Sequence, residues 1–366
     1  MPTAYTNAKF FTGESFEEGK AVLTDVGIIT DVVDVDAIPH GYTKIDLGGE
    51  NVAPAFIDLQ IYGGNGKMFS EDPGTESIQR TYEYCLTGGA SHFMITVATN
   101  TMDVMLRSIE AVRAYWQSGG KGLLGLHLEG PYLNPAKKGA HVESLIKPPT
   151  SEEVKMLIEK GGDVIKMITI APELCPDDVL AFLCENIMVV SAGHTNATYE
   201  EAQAAFGKGI PVATHLFNAM TGFQHRAPGV VGAIFNDANA MSSIVCDGVH
   251  VDFAAVRVAK TVMEERLFYI TDAVTETKDA LYPHVFKGDR FTLPDGTLSG
   301  SALTMIKCVK NGIERVGICL EESLRMASQY PGQLLLKEMQ IGKIQENYLA
   351  QFVVMDDDYN VIRVIS

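Results

Sequence analysis

The sequence predicts an α/β protein: a (β/α)8, TIM-like barrel with a small β-sandwich domain formed by both chain ends. Three observations predict it. Eight short apolar runs of strand-like composition recur between residues 55 and 274, helix-like stretches separate most neighbouring pairs, and both chain ends have β texture without helical periodicity. At 366 residues, 46% of them hydrophobic, the chain can bury a sizeable core.

Taken in order, residues 1–53 alternate short β-like runs (AKFF, AVLTDVGIITDVV, TKIDL) with glycine-rich or acidic turns. The barrel occupies 54–330. Its eight strand-like runs are AFIDLQIYG (55–63), SHFMITVAT (91–99), LLGLHLEG (123–130), IKMITIAPE (165–173), MVVSAGHT (188–195), VATHLFNAM (212–220), SSIVCDGVH (242–250) and LFYITDAV (267–274). Between them, Thr150 with Glu153 and Thr198 with Glu201 have capping-box spacing, and the segment from Thr198 stops at glycines as a helix C-terminus should. Residues 301–328 form the last long helical region and 341–366 return to β texture, so the two ends are expected to pair in one β-domain whose C-terminal part is 331–366.

Composition narrows the function classes. A formal charge of -17, from 46 acidic and 29 basic residues without long single-sign runs, argues against nucleic acid or anionic membrane as a partner. An anionic substrate therefore requires a local basic pocket. The N-terminus has no basic stretch leading into an apolar run, and no segment approaches bilayer-spanning length. Six scattered cysteines, none in a CxxC pattern, are read as buried thiols of a reduced cytoplasmic protein.

Reactive groups of a (β/α)8 barrel sit at the C-terminal ends of its strands. Here those ends are polar: Gln60 and Tyr62 on the first strand, His127 and Glu129 on the third, His194 on the fifth, His215 and Asn218 on the sixth, Asp247 and His250 on the seventh, Asp272 on the eighth. A lone histidine at a strand end is more often structural than functional. Three candidate ligands from separate strands, Glu129, His194 and His215, together with Asp272, are harder to dismiss; they form the His2Glu set of a catalytic zinc site with a position open for water. Because such ligands suit several divalent ions, iron(II) or another ion is the alternative to zinc. His127 is read as barrel packing, Cys246 as a small buried residue, and the Gly63–Gly66 stretch as a place of close backbone approach.

The segments HLEGPYLNPAKKGAH (127–141), SAGHTNATYEEA (191–202), ATHLFNAMTGFQHRAPGVVGA (213–233), DGVHVD (247–252) and ITDAV (270–274) resemble the N-acetylglucosamine-6-phosphate deacetylase family of the amidohydrolase superfamily, over nearly the whole chain. The resemblance implies hydrolysis of the acetamide of N-acetyl-D-glucosamine 6-phosphate to D-glucosamine 6-phosphate and acetate, by a homodimer holding one divalent ion per subunit. It implies Glu129, His194 and His215 as ligands, Asp272 as acid/base and His141 as a holder of the acetyl carbonyl. It implies a sugar-phosphate site from Ala140, Asn218, Ala219, Arg226, Asp247 and His250, closed by Leu298, Ser299 and Gly300, with Arg226 gripping phosphate. Members with His-x-His on the first strand can hold a second metal; Gln60 matches those that hold one. Tyr62 departs from both patterns, and so does Ala350-Gln351-Phe352 near the C-terminus. The competing expectations are a deacetylase of another acetamido sugar phosphate, such as the galactosamine epimer, and a catalytically silent sugar-phosphate sensor.

Overall fold

The computed structural model describes residues 1–335 and 340–366; positions 336–339, within the expected C-terminal β portion, lie outside the described residues. The chain divides into two compact units, one of residues 1–58, 85–92 and 304–366, the other of residues 59–84 and 93–303.

In the first unit, strands Ile28–Asp34, Lys20–Asp25, Thr3–Thr6 and Thr43–Asp46 form one sheet, in that order. A second sheet runs Val361–Ile365, Phe352–Met355, Asn51–Pro54, Lys9–Phe11, Phe16–Glu17. Phe352–Met355 pairs antiparallel with Asn51–Pro54, so the two chain ends share a sheet as their texture suggested. Both sheets supply the core beneath them, with Val22 and Ile29 from one and Phe10, Val52 and Phe352 from the other, which is the sandwich arrangement. The expected long helical region is interrupted: helices Met305–Asn311 and Leu320–Ala327 flank a wide turn that ends at Gly317, whose φ of 86° a helix cannot continue through.

The barrel strands are β1 Phe56–Ile61, β2 Ala90–Ala98, β3 Leu123–Glu129, β4 Ile165–Ile170, β5 Val189–Ala192, β6 Val212–Ala213, β7 Met241–Ile244 and β8 Leu267–Tyr269. They lie side by side in chain order in one eight-stranded sheet. The pairs from β2 to β8 are parallel. Closure comes from β1 meeting the chain just after β8, where the Asp272 N–H donates to the Gln60 carbonyl and the Tyr62 N–H to the Ala273 carbonyl, both at 3.0 Å. Every residue of β1 and β3 is buried, as a parallel sheet covered on both faces requires.

Each strand starts within one residue of its sequence run, but β5, β6, β7 and β8 stop at residues 192, 213, 244 and 269, short of the 195, 220, 250 and 274 that composition suggested. Beyond the ends of β5, β6 and β8, His194, His215 and Asp272 have φ values of 45°, 40° and 54°, so regular strand geometry breaks where the candidate chemistry begins. Such left-handed non-glycine positions cost on the order of 1–3 kcal/mol each and gather where function holds them.

Helix caps follow the expected spacing with one difference. Thr198 and Glu201 form a complete capping box. At the other helix Thr150 accepts from the Glu153 N–H, but the Glu153 carboxylate instead takes bonds from Tyr132 and Lys147, so that box is half made.

Candidate active site

Glu129, at the last position of β3, is 1% exposed, and its Oε1 faces the Nε2 atoms of His215 at 3.0 Å and His194 at 3.4 Å. The two Nε2 atoms lie 3.1 Å apart. Hydrogen-bond direction identifies what these nitrogens offer. His194 Nδ1 lies 2.8 Å from the Lys137 carbonyl, which can only accept, so in the neutral ring Nδ1 carries the proton and Nε2 presents a lone pair. Burial would lower the pKa of His215, yet contact with the Glu129 carboxylate outweighs it and raises the value. Burial likewise pushes Glu129 up, and the imidazoles of His141, His194 and His215 overcome it and hold the carboxyl well below its usual range. An ionised carboxylate ringed by imidazole nitrogens favours positive charge at this point. A divalent cation fits these donors better than a shared proton, and N, N, O ligation suits one.

His141 is a geometric competitor, because Glu129, His141 and His194 also offer donor atoms within 4.8 Å of one another. Its tautomer argues against ligation. The Thr99 backbone N–H reaches His141 Nδ1 at 3.3 Å and can only donate, which leaves the ring proton on Nε2, pointing at Glu129 Oε2 3.2 Å away. Burial, reinforced by His194, lowers its pKa to about 4, so near neutrality it is an uncharged N–H donor.

The backbone behind His194 is braced. Its carbonyl accepts from the Asn134 N–H at 2.9 Å. Glu173 binds the following residues through Thr195 Oγ1 at 2.5 Å and the Asn196 N–H at 2.7 Å, and it takes the Asn134 side-chain amide at 2.9 Å. These bonds hold the left-handed turn that aims the imidazole.

Asp272 follows β8 and faces the same space. Gln60 Nε2 donates to Asp272 Oδ1 and to Glu129 Oε1, each at 3.0 Å, and so ties the carboxylates of two distant strands together. Burial raises the Asp272 pKa to about 6, only partly offset by His215 and His250. His250 is fixed in turn by Asp247, whose Oδ2 lies 2.6 Å from His250 Nδ1 while Oδ1 accepts the N–H groups of Val249 and His250 at 2.8 Å. This leaves His250 Nε2 facing inward, 3.8 Å from Asp272 Oδ2.

These groups open into a cavity of ≈170 Å³ that is lined by Glu129, His194, His215 and Asp272, and also by Ala140, His141, Asn218, Ala219, His250, Leu298, Ser299 and Gly300. The short strand Leu298–Ser301 brings the last three there, and Gly300 must be glycine: at φ 139° a Cβ would meet Val274 Cγ1 at 2.6 Å. Two residues read as substrate-binding lie outside this lining. Asp247 sits behind His250, with both oxygens engaged as described. Arg226 is exposed in a turn closed by reciprocal bonds between Gln224 and Ala227.

The amidohydrolase family profile matches residues 51–366. The chain belongs to the amidohydrolase family. Among known members it is 34% identical over 380 residues to N-acetylglucosamine-6-phosphate deacetylase of Haemophilus influenzae, covering 100% of this chain and 98% of that one. It is 31% identical over 326 residues to an N-acetylgalactosamine-6-phosphate deacetylase of Shewanella sp. (strain ANA-3), covering 87% and 82%. The crystal structure of N-acetylglucosamine-6-phosphate deacetylase from Pasteurella multocida superposes with a TM-score of 0.94 at 34% identity, over 100% of this chain and 98% of that one.

In this amidohydrolase, sequence reasoning left several cavity residues unassigned. His284 lies 2.9 Å from Ser299 Oγ through Nδ1, and burial lowers its pKa to about 4. Tyr282 donates to the Thr99 carbonyl at 2.5 Å and stacks on His284 with ring centroids 6.3 Å apart. Neither lies at a strand end, so barrel geometry gave no signal for them. His127, by contrast, packs as expected, bonded to Thr169 Oγ1 at 2.8 Å and kept neutral by burial, which lowers its pKa to about 4. The glycine-rich stretch also behaves as read: Gly63 pairs so closely with Lys67 that a Cβ would lie 2.2 Å from its carbonyl oxygen, and this hairpin places Met68 in the cavity wall.

Proposed function

We propose that this amidohydrolase removes the acetyl group of N-acetyl-D-glucosamine 6-phosphate, giving D-glucosamine 6-phosphate and acetate, with one divalent ion held by Glu129, His194 and His215. One observation carries the reading: two imidazoles and a carboxylate from separate strands converge beside a buried aspartate that none of them engages in a hydrogen bond. Its similarity to enzymes named for this reaction supports the choice of substrate. Zinc is the ion we assign, because the N, N, O donors leave a fourth tetrahedral position open.

The bound ion supplies Lewis acidity for the acetyl carbonyl and lowers the pKa of the attacking water. Asp272 takes the proton from that water and returns it to the departing amine, so each turnover leaves the carboxylate as it began. His141, an Nε2–H donor, steadies the acetyl carbonyl oxygen as negative charge develops on it. His250, held by Asp247, faces the sugar from the other side. Acetate release by the purified protein, with and without a chelator and on both the gluco and galacto epimers, tests the reading together with metal analysis. A silent sensor would bind sugar phosphate and release no acetate.

The acid limb of the rate follows from Asp272. The base must be ionised, and burial raises its pKa to about 6, so kcat/KM falls as pH drops through that value. A bound cation moves the limb lower, so it lies at or below pH 6. A limb centred above pH 7 would exclude Asp272 as the base.

For phosphate we assign Arg226, acting in a homodimer in which the exposed turn of one subunit serves the other's site. The turn also exposes Phe223, 61% accessible, an apolar anchor of the kind interfaces bury. Hydrogen bonds to a charged group are worth about 1.5–3 kcal/mol each, so losing a bidentate pair in Arg226→Ala should raise KM by about 100-fold or more for the phosphorylated sugar and leave the unphosphorylated one unchanged. Steady-state kinetics on both sugars checks this, and sedimentation checks the dimer. The free thiols of all six cysteines support the cytoplasm as its compartment.

A further inference from the structure

We propose that Tyr62 is a positioning residue of the metal centre: its phenol O–H holds the second oxygen of Glu129, so that this carboxylate offers the ion a single oxygen. The inference rests on the metal site assigned above. It begins from the asymmetry of Glu129. Oε1 faces the nitrogens of His215 and His194 at 3.0 and 3.4 Å, whereas Oε2 is turned to Tyr62 Oη and to His141 Nε2 at 3.2 Å.

The direction of the Tyr62 bond is fixed by its neighbours. The ionised Glu129 carboxylate can only accept, so the Tyr62 hydroxyl gives its proton to Oε2, with Gln60 Nε2 2.8 Å from the phenol oxygen. The ring cannot swing away, because it packs with Met68, Val274 and Phe291 in a small apolar cluster. Tyr62 and Gln60 therefore act together from the first strand's end: the amide steadies Oε1, and the phenol steadies Oε2.

A carboxylate with one oxygen occupied by donors binds an ion through the other alone, and a freed oxygen can add a second bond. Without the Tyr62 hydroxyl, Oε2 keeps only the His141 Nε2–H, 3.2 Å away, and is less restrained from reaching the ion. A second oxygen on the ion would raise its coordination number and compete for the position water needs.

Cobalt(II) substitution reads this directly, because visible absorption of the ion weakens as its coordination number rises. Wild type, Tyr62→Phe and Tyr62→Leu would each be loaded with Co2+, titrated against a chelator and assayed for acetate release. Tyr62→Phe keeps the ring and the packing. The expected result is one Co2+ per chain in all three, with weaker visible bands in both variants. Ion affinity should change by about 10- to 100-fold, and kcat should fall with KM unchanged. Variants with the wild-type spectrum and affinity would overturn the role of Tyr62. Failure of wild type itself to take up Co2+ would overturn the metal site beneath it.

Discussion

Asp272→Asn protein should retain its ion and lose turnover by about 10²- to 10⁴-fold, the usual worth of a positioned acid/base. The amide is nearly isosteric, and Asp272 Oδ1 already accepts a bond from Gln60 Nε2 at 3.0 Å, which the asparagine carbonyl can replace. Packing is preserved while the capacity to take a proton is lost. The rival role for Asp272, a further metal ligand, makes the opposite forecast for binding. Its Oδ2 is directed toward His250 Nε2 at 3.8 Å, and the Glu129, His194 and His215 triangle closes without it. Metal analysis of the variant beside its kcat separates the two: ion lost along with activity would mean ligation.

His215→Ala should reduce bound divalent ion below one per chain and lower acetate release by about 10³-fold or more, since Lewis-acid stabilisation is worth several kcal/mol. The imidazole sits 3.0 Å from Glu129 Oε1 and 3.1 Å from His194 Nε2, so its loss opens one side of the ligand set. Stability should move as well. An ion that binds the folded chain at 1,000 times its dissociation constant adds about 4 kcal/mol, so wild type should lose Tm on chelation and recover it with added metal, and the variant should do neither. A variant that keeps a full ion and wild-type turnover would remove His215 from the centre.

The two variants test a proposed division of the site between a group that moves a proton and a group that holds charge. That division was partly legible in the sequence. Residue type and strand-end position pointed to Glu129, His194, His215 and Asp272, because eight β/α units place those ends on one face. The sequence also left a gap at Gln60 and Tyr62, where composition could name the residues and say nothing of what they touch.

The β/α period, the eight strand starts and the pairing of the chain ends are written locally, in apolar runs and turn residues, and they could be read without coordinates. The point where β5, β6 and β8 give way could not, because left-handed backbone at His194, His215 and Asp272 is sustained by tertiary contacts and not by the residues' own preference. The partnership of Gln60 with Asp272, 212 positions apart, exists once the barrel closes. The same is true of the tautomer of His141 and the different partners of the two Glu129 oxygens. Those depend on which donor meets which acceptor across strands, and hydrogen-bond direction is a property of assembled atoms, not of the order of residues along a chain.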